Sequence, residues 1–393
     1  MFKCSVIAVF LLGACASDGM DGAPGAPGTN GTDGTDGTNG TDGSTGPAGP
    51  ELAPPGVYTL ANAAAGNQVA AFLRGEDGNL TRDNEFGTGG AGLGVGLHSQ
   101  GGIVFDKASQ RFFAVNAGDN TISMLAIDSD GVMTKLASIA SGGTRPISIA
   151  VHGDAVYVLN SGNVANPAAV NGNITGFKIV GDTLVAIAGS TQPLSAATDV
   201  NPTDLVFTPD GSALLVAELA TNKLDTFAVT ADKAAAGSFQ ASSGAKPFSM
   251  AFSPEGFLLV SEVGDGTATG STASSYSISA TGALSPLTKQ LGTGQGAGCW
   301  IVSVGGFAYV ANAASATITG LTVSTTGALS LPTTTATGPG PLDLAVSTDR
   351  GYLYSLASGD HTVRIFDINS DGTLTAKPPL TGMAPAASGL VAR

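Results

Sequence analysis

Residues 202–222 read Pro202-Thr203-Asp204-Leu205-Val206-Phe207-Thr208-Pro209-Asp210-Gly211, then Ser212-Ala213-Leu214-Leu215-Val216-Ala217-Glu218-Leu219-Ala220-Thr221-Asn222. An apolar run opens after a proline, breaks at Pro-Asp-Gly, and gives way to a second apolar run that closes on an acidic residue. Proline loses no ladder bond at a strand's first residue, and Asp-Gly accepts the positive φ of a tight turn. The stretch therefore predicts two antiparallel strands joined by a turn. The phrase recurs: Arg145-Pro146, Lys246-Pro247 and Gly340-Pro341 open similar runs, and Pro254-Glu255-Gly256 and Asp349-Arg350-Gly351 break them. The second runs close at Asn62, Asn116, Asn160, Glu218, Glu262, Asn312 and Ala357, 44 to 58 residues apart.

A third apolar run follows each of these, for example Asn120-Thr121-Ile122-Ser123 or His361-Thr362-Val363-Arg364-Ile365-Phe366. It ends on a hairpin dipeptide: Asp77-Gly78, Asp130-Gly131, Thr281-Gly282, Thr326-Gly327 or Asp371-Gly372. Four antiparallel strands per unit, repeated seven times, predict an all-β, seven-bladed β-propeller over residues 56–393. The first unit starts with its second strand at Gly56-Val57-Tyr58, and Ser388-Gly389-Leu390-Val391-Ala392-Arg393 supplies the missing piece. The C-terminal strand is thus expected to close the ring and remove exposed edges.

The composition agrees. Of 393 residues 57 are Gly and only 12% are charged, which suits short strands and tight turns over long helices. Sixteen Lys and Arg against thirty Asp and Glu leave a net charge of -14. That removes the counterion-release drive for nucleic acid and would repel an anionic bilayer. Residues 1–14 have a basic start, the apolar Val6-Ile7-Ala8-Val9-Phe10-Leu11-Leu12 and small residues, as an export signal does. Leu12-Gly13-Ala14-Cys15 resembles a bacterial lipobox, which implies lipidation of Cys15 and a place in the cell envelope: outer membrane, periplasm or cell surface. Cys4 leaves with the signal, so Cys299 has no partner in its own chain. From Gly19 to Gly49 a glycine falls at every third position. This Gly-X-Y run, within residues 15–55, reads either as a short collagen-like homotrimer or as a flexible tether. Both make it a spacer.

The Pro202–Gly211 phrase followed by Val216–Asn222 resembles the seven-bladed lactonase family, which includes 6-phosphogluconolactonase-like and carboxymuconate-cyclase-like proteins. The resemblance covers residues 56–393 and implies lactone opening or closing at the channel mouth. It places Glu218 where relatives carry an acid/base Glu in an Asn-Glu-Leu phrase. The Arg-His that often follows the blade-opening proline is here Thr203-Asp204.

The loops joining second to third strands, and one blade to the next, share one face of a propeller. Two rings of side chains are expected there: the second-strand ends, and the position two after each blade-opening proline, namely Ser148, Asp204, Ser249 and Asp343, with Cys299 matching in the sixth blade. Asn at the first ring caps turns. Glu218 and Glu262 break the amide pattern on adjacent blades, and two close carboxylates raise each other's pKa, as acid/base work requires. They are the expected catalytic pair, with His98, Arg145, Lys246, Asn116, Asn160, Asn312 and Asp204 as substrate contacts. His152 is placed on the opposite face. No resident cofactor or metal site is expected, although Asp204, Glu218, Glu262 and Asp343 are hard-ion donors that suit a divalent cation at the mouth. Asp128-Ser129-Asp130-Gly131 mimics a calcium loop but falls at a hairpin. The Gly-x-Gly runs at 92–98 and 292–298 open no helix, which disfavours a dinucleotide. No Gly-x-Ser-x-Gly elbow, His-Glu-x-x-His or P-loop occurs. The competing reading is a non-catalytic surface module for protein or glycan.

Overall fold

The computed structural model describes residues 53–162, 171–197 and 199–393. The signal segment, Cys15 and the Gly-X-Y run lie outside the described residues. Seven antiparallel sheets form the fold, and every regular element among the described residues is a strand. Blade 4 shows the pattern: Pro202–Phe207 innermost, then Ala213–Glu218 and Lys223–Thr230, with Lys233–Ala234 and Ser238–Ala241 outermost. The innermost strands touch in cyclic order, and blade 7 meets blade 1 through Pro341–Val346 and Ser388–Ala392.

Ring closure follows the sequence expectation. Ser388–Ala392 pairs antiparallel with Gly56–Leu60, Tyr58 opposite Val391 and Thr59 opposite Leu390. Arg393 and Gly56 exchange backbone hydrogen bonds beyond it. The propeller's first and last strands thus share one sheet, which leaves no unpaired inner edge.

Second strands are the most deeply buried, because alternate residues face the blades on either side. Leu215, Ala217 and Leu224 of blade 4 form one apolar cluster with Met250, Leu258 and Val260 of blade 5. Each such leucine or valine removed from water contributes about 1.5–3 kcal/mol. The hairpin glycines complete the contact between neighbours. Gly372 has φ 83°, and a Cβ there would lie 2.3 Å from the Phe307 ring of blade 6. Its carbonyl accepts from Tyr309 Oη at 3.0 Å. The Asp-Gly dipeptide therefore serves both the turn and the close approach. Outer strands in blades 3 and 4 are broken in two. In blade 3 Gly189, at φ 69°, lifts the chain away, and Ser190 Oγ takes the Gly176 N–H at 3.0 Å in place of a ladder bond.

Candidate functional site

Five blades begin alike. The residue before the inner strand is left-handed: Arg145, Asn201, Lys246, Ala297 and Gly340 have φ between 42° and 60°. The register then slips within the first residues, between Pro146 and Ser148, Pro202 and Asp204, Pro247 and Ser249, Gly298 and Ile301, and Pro341 and Leu344. Such bulges re-aim a side chain. The position two after the opening residue becomes a belt in which each side chain accepts the backbone N–H of the next blade: Ser148 from Leu205 (3.2 Å), Asp204 from Met250 (2.8 Å), Ser249 from Ile301 (3.4 Å) and Asp343 from Leu390 (3.1 Å). In blade 6 this place belongs to Trp300, not Cys299, because the strand opens at Gly298 opposite Asn312. Indole cannot accept, so Trp300 Nε1 donates to Ser99 O at 3.0 Å. Burial pushes the Cys299 thiol up to about 12, and no disulfide ties it.

A segment of the connection between blades 1 and 2 plugs the channel. Leu97 N donates to Ser388 Oγ at 3.1 Å, Ser99 Oγ to Ile147 O at 2.7 Å and Gln100 N to Thr203 O at 3.0 Å. The Gln100 amide takes Ser249 Oγ and spans the Ile301 N–H and C=O at 3.3 and 3.1 Å. Five blades thereby hold one glutamine segment. On the side of the second-strand ends, the space beside His98, Trp300 and Asp343 is only about 20 Å³, room for about one water. On the other side lies a cavity of about 410 Å³, reaching from Gln100 to the turns at Val151-His152 and Thr208-Pro209. Small-molecule pockets run from about 300 to 1,000 Å³. Of these two spaces among the described residues, the larger lies on the face opposite the one the sequence selects.

Asp204 and Asp343, themselves only 1% and 2% exposed, line the inner wall of this cavity. Burial pushes the Asp204 carboxyl up to about 7, against hydrogen bonds from Met250, Leu205, Ser249 and Ser148 that favour its ionised form. Asp343 is raised well above the usual carboxylate range, first by burial and further by the charge of Asp204. Burial thus favours the protonated form of both carboxyls, and Asp343 holds its proton the more strongly while Asp204 is charged.

Glu218 and Glu262, expected at an open mouth, are wholly buried, and neither lines the channel cavity. Glu218 accepts from Ser195 N at 2.9 Å and from the Ser195 and Thr221 hydroxyls. Glu262 accepts from Gly244 N at 2.9 Å, Ser242 Oγ at 3.2 Å and Thr272 Oγ1 at 2.5 Å. Both tie the end of a second strand to the preceding inter-blade connection. Asn116, Asn160 and Asn312 do related work: Asn116 Nδ2 donates to Ser123 Oγ at 2.8 Å, Asn160 Nδ2 to Ser141 O at 3.1 Å and Asn312 Nδ2 to Thr319 Oγ1 at 2.9 Å. Glu218's acidic neighbour is Asp225 of its own blade, not Glu262. Asp225 is raised to about 9, chiefly by burial and then by Glu218. Both Asp225 oxygens are buried with no well-formed hydrogen bond to offset the loss of water. The signal for Asp225 lies in the repeat: other blades carry Ser123, Thr175, Ser274 and Thr319 at that place.

Arg145 is half-buried, and Lys246 and His98 are exposed; none of the three lines the large cavity. Arg145 N and Lys246 N donate to Asn120 and Asn222 Oδ1, both at 2.7 Å. A divalent cation shared by Asp204, Glu218, Glu262 and Asp343 has no common centre. Among the described residues no group of three or more His, Cys, Asp or Glu is arranged to hold a metal. Asp128 Oδ1 accepts from Asp130 N and Val132 N, which makes that segment a turn.

The raised carboxyls set a pH dependence of stability. Below the ordinary aspartate value of 3.8 both folded and unfolded chains are protonated, and no penalty exists. Above it the unfolded chain releases protons that the folded chain keeps, so stability falls as pH rises and levels off once the folded values of about 7 and about 9 are passed. Urea midpoints should decline over that window, and Asp225→Asn should flatten its upper part. A midpoint that rises with pH there would contradict the burial of these groups.

Comparison with known proteins adds the family. The profile described as Lactonase, 7-bladed beta-propeller, matches residues 96–379. A provisional 6-phosphogluconolactonase of Bacteroides uniformis is 16% identical, with 85% of this chain and 98% of that chain covered and a TM-score of 0.66. The periplasmic gluconolactonase of Pseudomonas aeruginosa is also 16% identical, with 86% and 99% covered and a TM-score of 0.61. Virginiamycin B lyase of Staphylococcus aureus is 14% identical, with 75% and 88% covered, at 0.52. Likeness at these identities establishes the shared fold, and one fold hosts more than one reaction. A search of curated proteins by sequence gives no match.

Proposed function

This chain belongs to the seven-bladed β-propeller lactonase family, and from that membership we propose that it hydrolyses a lactone inside the central channel, with Asp204 as general base and Asp343 as the neighbouring acid. The observation that carries the reading is Asp204 itself, a carboxyl raised to about 7 on the inner wall of a cavity of about 410 Å³. A base titrating near working pH combines a useful ionised fraction with useful basicity.

In the proposed step the Asp204 carboxylate removes a proton from water as its oxygen bonds to the lactone carbonyl carbon. The protonated Asp343 carboxyl donates a hydrogen bond to the oxyanion that develops. As the carbonyl re-forms, the ring C–O bond breaks and the departing alkoxide takes the proton held by Asp204. Lactone and water become one hydroxy acid, and both carboxyls regain their starting forms.

Glu218 and Glu262 are assigned to holding blades together. Glu218→Gln and Glu262→Gln, tested on a lactone panel, should retain kcat/KM within about threefold, because catalysis falls steeply only when a group acting on the reacting atoms is removed. Loss of about 100-fold or more in folded Glu218→Gln or Glu262→Gln would return the acid/base role to those residues. The double engagement of their oxygens also favours a second reading, a non-catalytic surface module for protein or glycan; absence of turnover on every lactone would select it. The reading keeps lipidation of Cys15, a cell-envelope location and a spacer over residues 15–55, through which the chain could form a homotrimer, as proposals.

A further inference from the structure

We infer, on the basis of the channel site just proposed, that its ligand is an uncharged lactone with an apolar substituent, and that phosphorylated or carboxylated lactones are turned away. The cavity wall contains no Lys or Arg, and its titratable side chains are His152, Asp204 and Asp343. His152 is exposed at the rim, against Phe207 at a ring separation of 5.6 Å. Between the rim and the acids the wall is mainly aliphatic and aromatic, with Ile103, Phe105, Ile149, Val151 and Leu344 among its residues.

A phosphate or carboxylate bound here would lose its water without gaining a cationic partner, and would lie near Asp204. Like charges about 4 Å apart at an effective dielectric of 20 weaken binding by about 1,000-fold. The net charge of -14 opposes anions at longer range. An alkyl group on the ring instead covers apolar wall, and the ring oxygens reach the acids at the inner end.

The test measures binding apart from turnover, using full-length chain and non-hydrolysable lactams. Calorimetry should show δ-decanolactam binding at least about 100-fold more tightly than 6-phosphogluconolactam. Val151→Lys, which adds a cation to the wall near the rim, should narrow that ratio by about tenfold or more; Val151→Arg serves if the lysine variant melts early. Equal or tighter binding of the phosphorylated lactam, no binding of either, or a ratio indifferent to both substitutions would overturn the inference. Decanolactam binding without hydrolysis of the parent lactone would leave the ligand class standing and remove the catalytic reading alone.

Discussion

Asp204→Asn should lower kcat/KM for lactone hydrolysis by about 10²–10⁴ while leaving the protein folded. The amide keeps an acceptor for the Met250 N–H, a bond of 2.8 Å in the native protein, so the belt across blades 4 and 5 survives. What is lost is the group that takes a proton from water. In the native protein kcat/KM should rise with pH and level off above about 7, because the Asp204 carboxyl titrates there and only its ionised form is the base. The variant should lose the rise along with the rate. Its stability above neutral pH should be no lower than that of the native chain, since a buried ionisable group has been replaced by a neutral one. Retention of kcat/KM within threefold of native by a folded Asp204→Asn protein would exclude Asp204 from the chemistry.

Removal of residues 388–393 should have the largest effect on the fold. It strips the inner strand from blade 1, leaves Gly56–Leu60 with a bare edge, and takes from Asp343 the Leu390 N–H at 3.1 Å. Leu390 is buried, and Val391 and Ala392 pack against neighbouring apolar clusters. Two branched side chains at about 1.5–3 kcal/mol each, with the ladder bonds, bring the loss to about 5 kcal/mol, comparable to the 5–15 kcal/mol that holds a typical domain together. Urea denaturation should show a midpoint reduced by about half or a broadened, non-cooperative transition. An unchanged midpoint would mean that the ring is held without its final strand.

The parts of this molecule legible in its sequence are those written locally. Asp371-Gly372 and Thr326-Gly327 announce hairpins because the conformations they adopt, φ 83° and 81° at the glycines, belong to the dipeptide itself. Closure by Ser388–Ala392 was legible because the first unit lacks its first strand. The site was less so. Blade 6 opens on Gly298 where four other blades open on proline, so no proline marks its start, and Trp300, not Cys299, occupies the sixth position of the belt. Gln100 carries no local mark: its role arises from Ser249 and Ile301, 149 and 201 residues away. Glu218 and Glu262 stood out against a ring of Asn, yet the same repeat geometry buries them against the preceding connection, on Ser195 N and Gly244 N. The carboxyl beside Glu218 is Asp225, which looks like a surface residue in Lys223-Leu224-Asp225-Thr226 yet is wholly buried in the fold.

If ligand enters the channel beneath Gln100, on the face of His152 and Pro209, a crystal structure with δ-decanolactam bound should show the ring beside Asp204 and Asp343, with the alkyl chain along Ile149 and Val151. Density instead on the opposite face, among His98, Arg145 and Lys246, would contradict it.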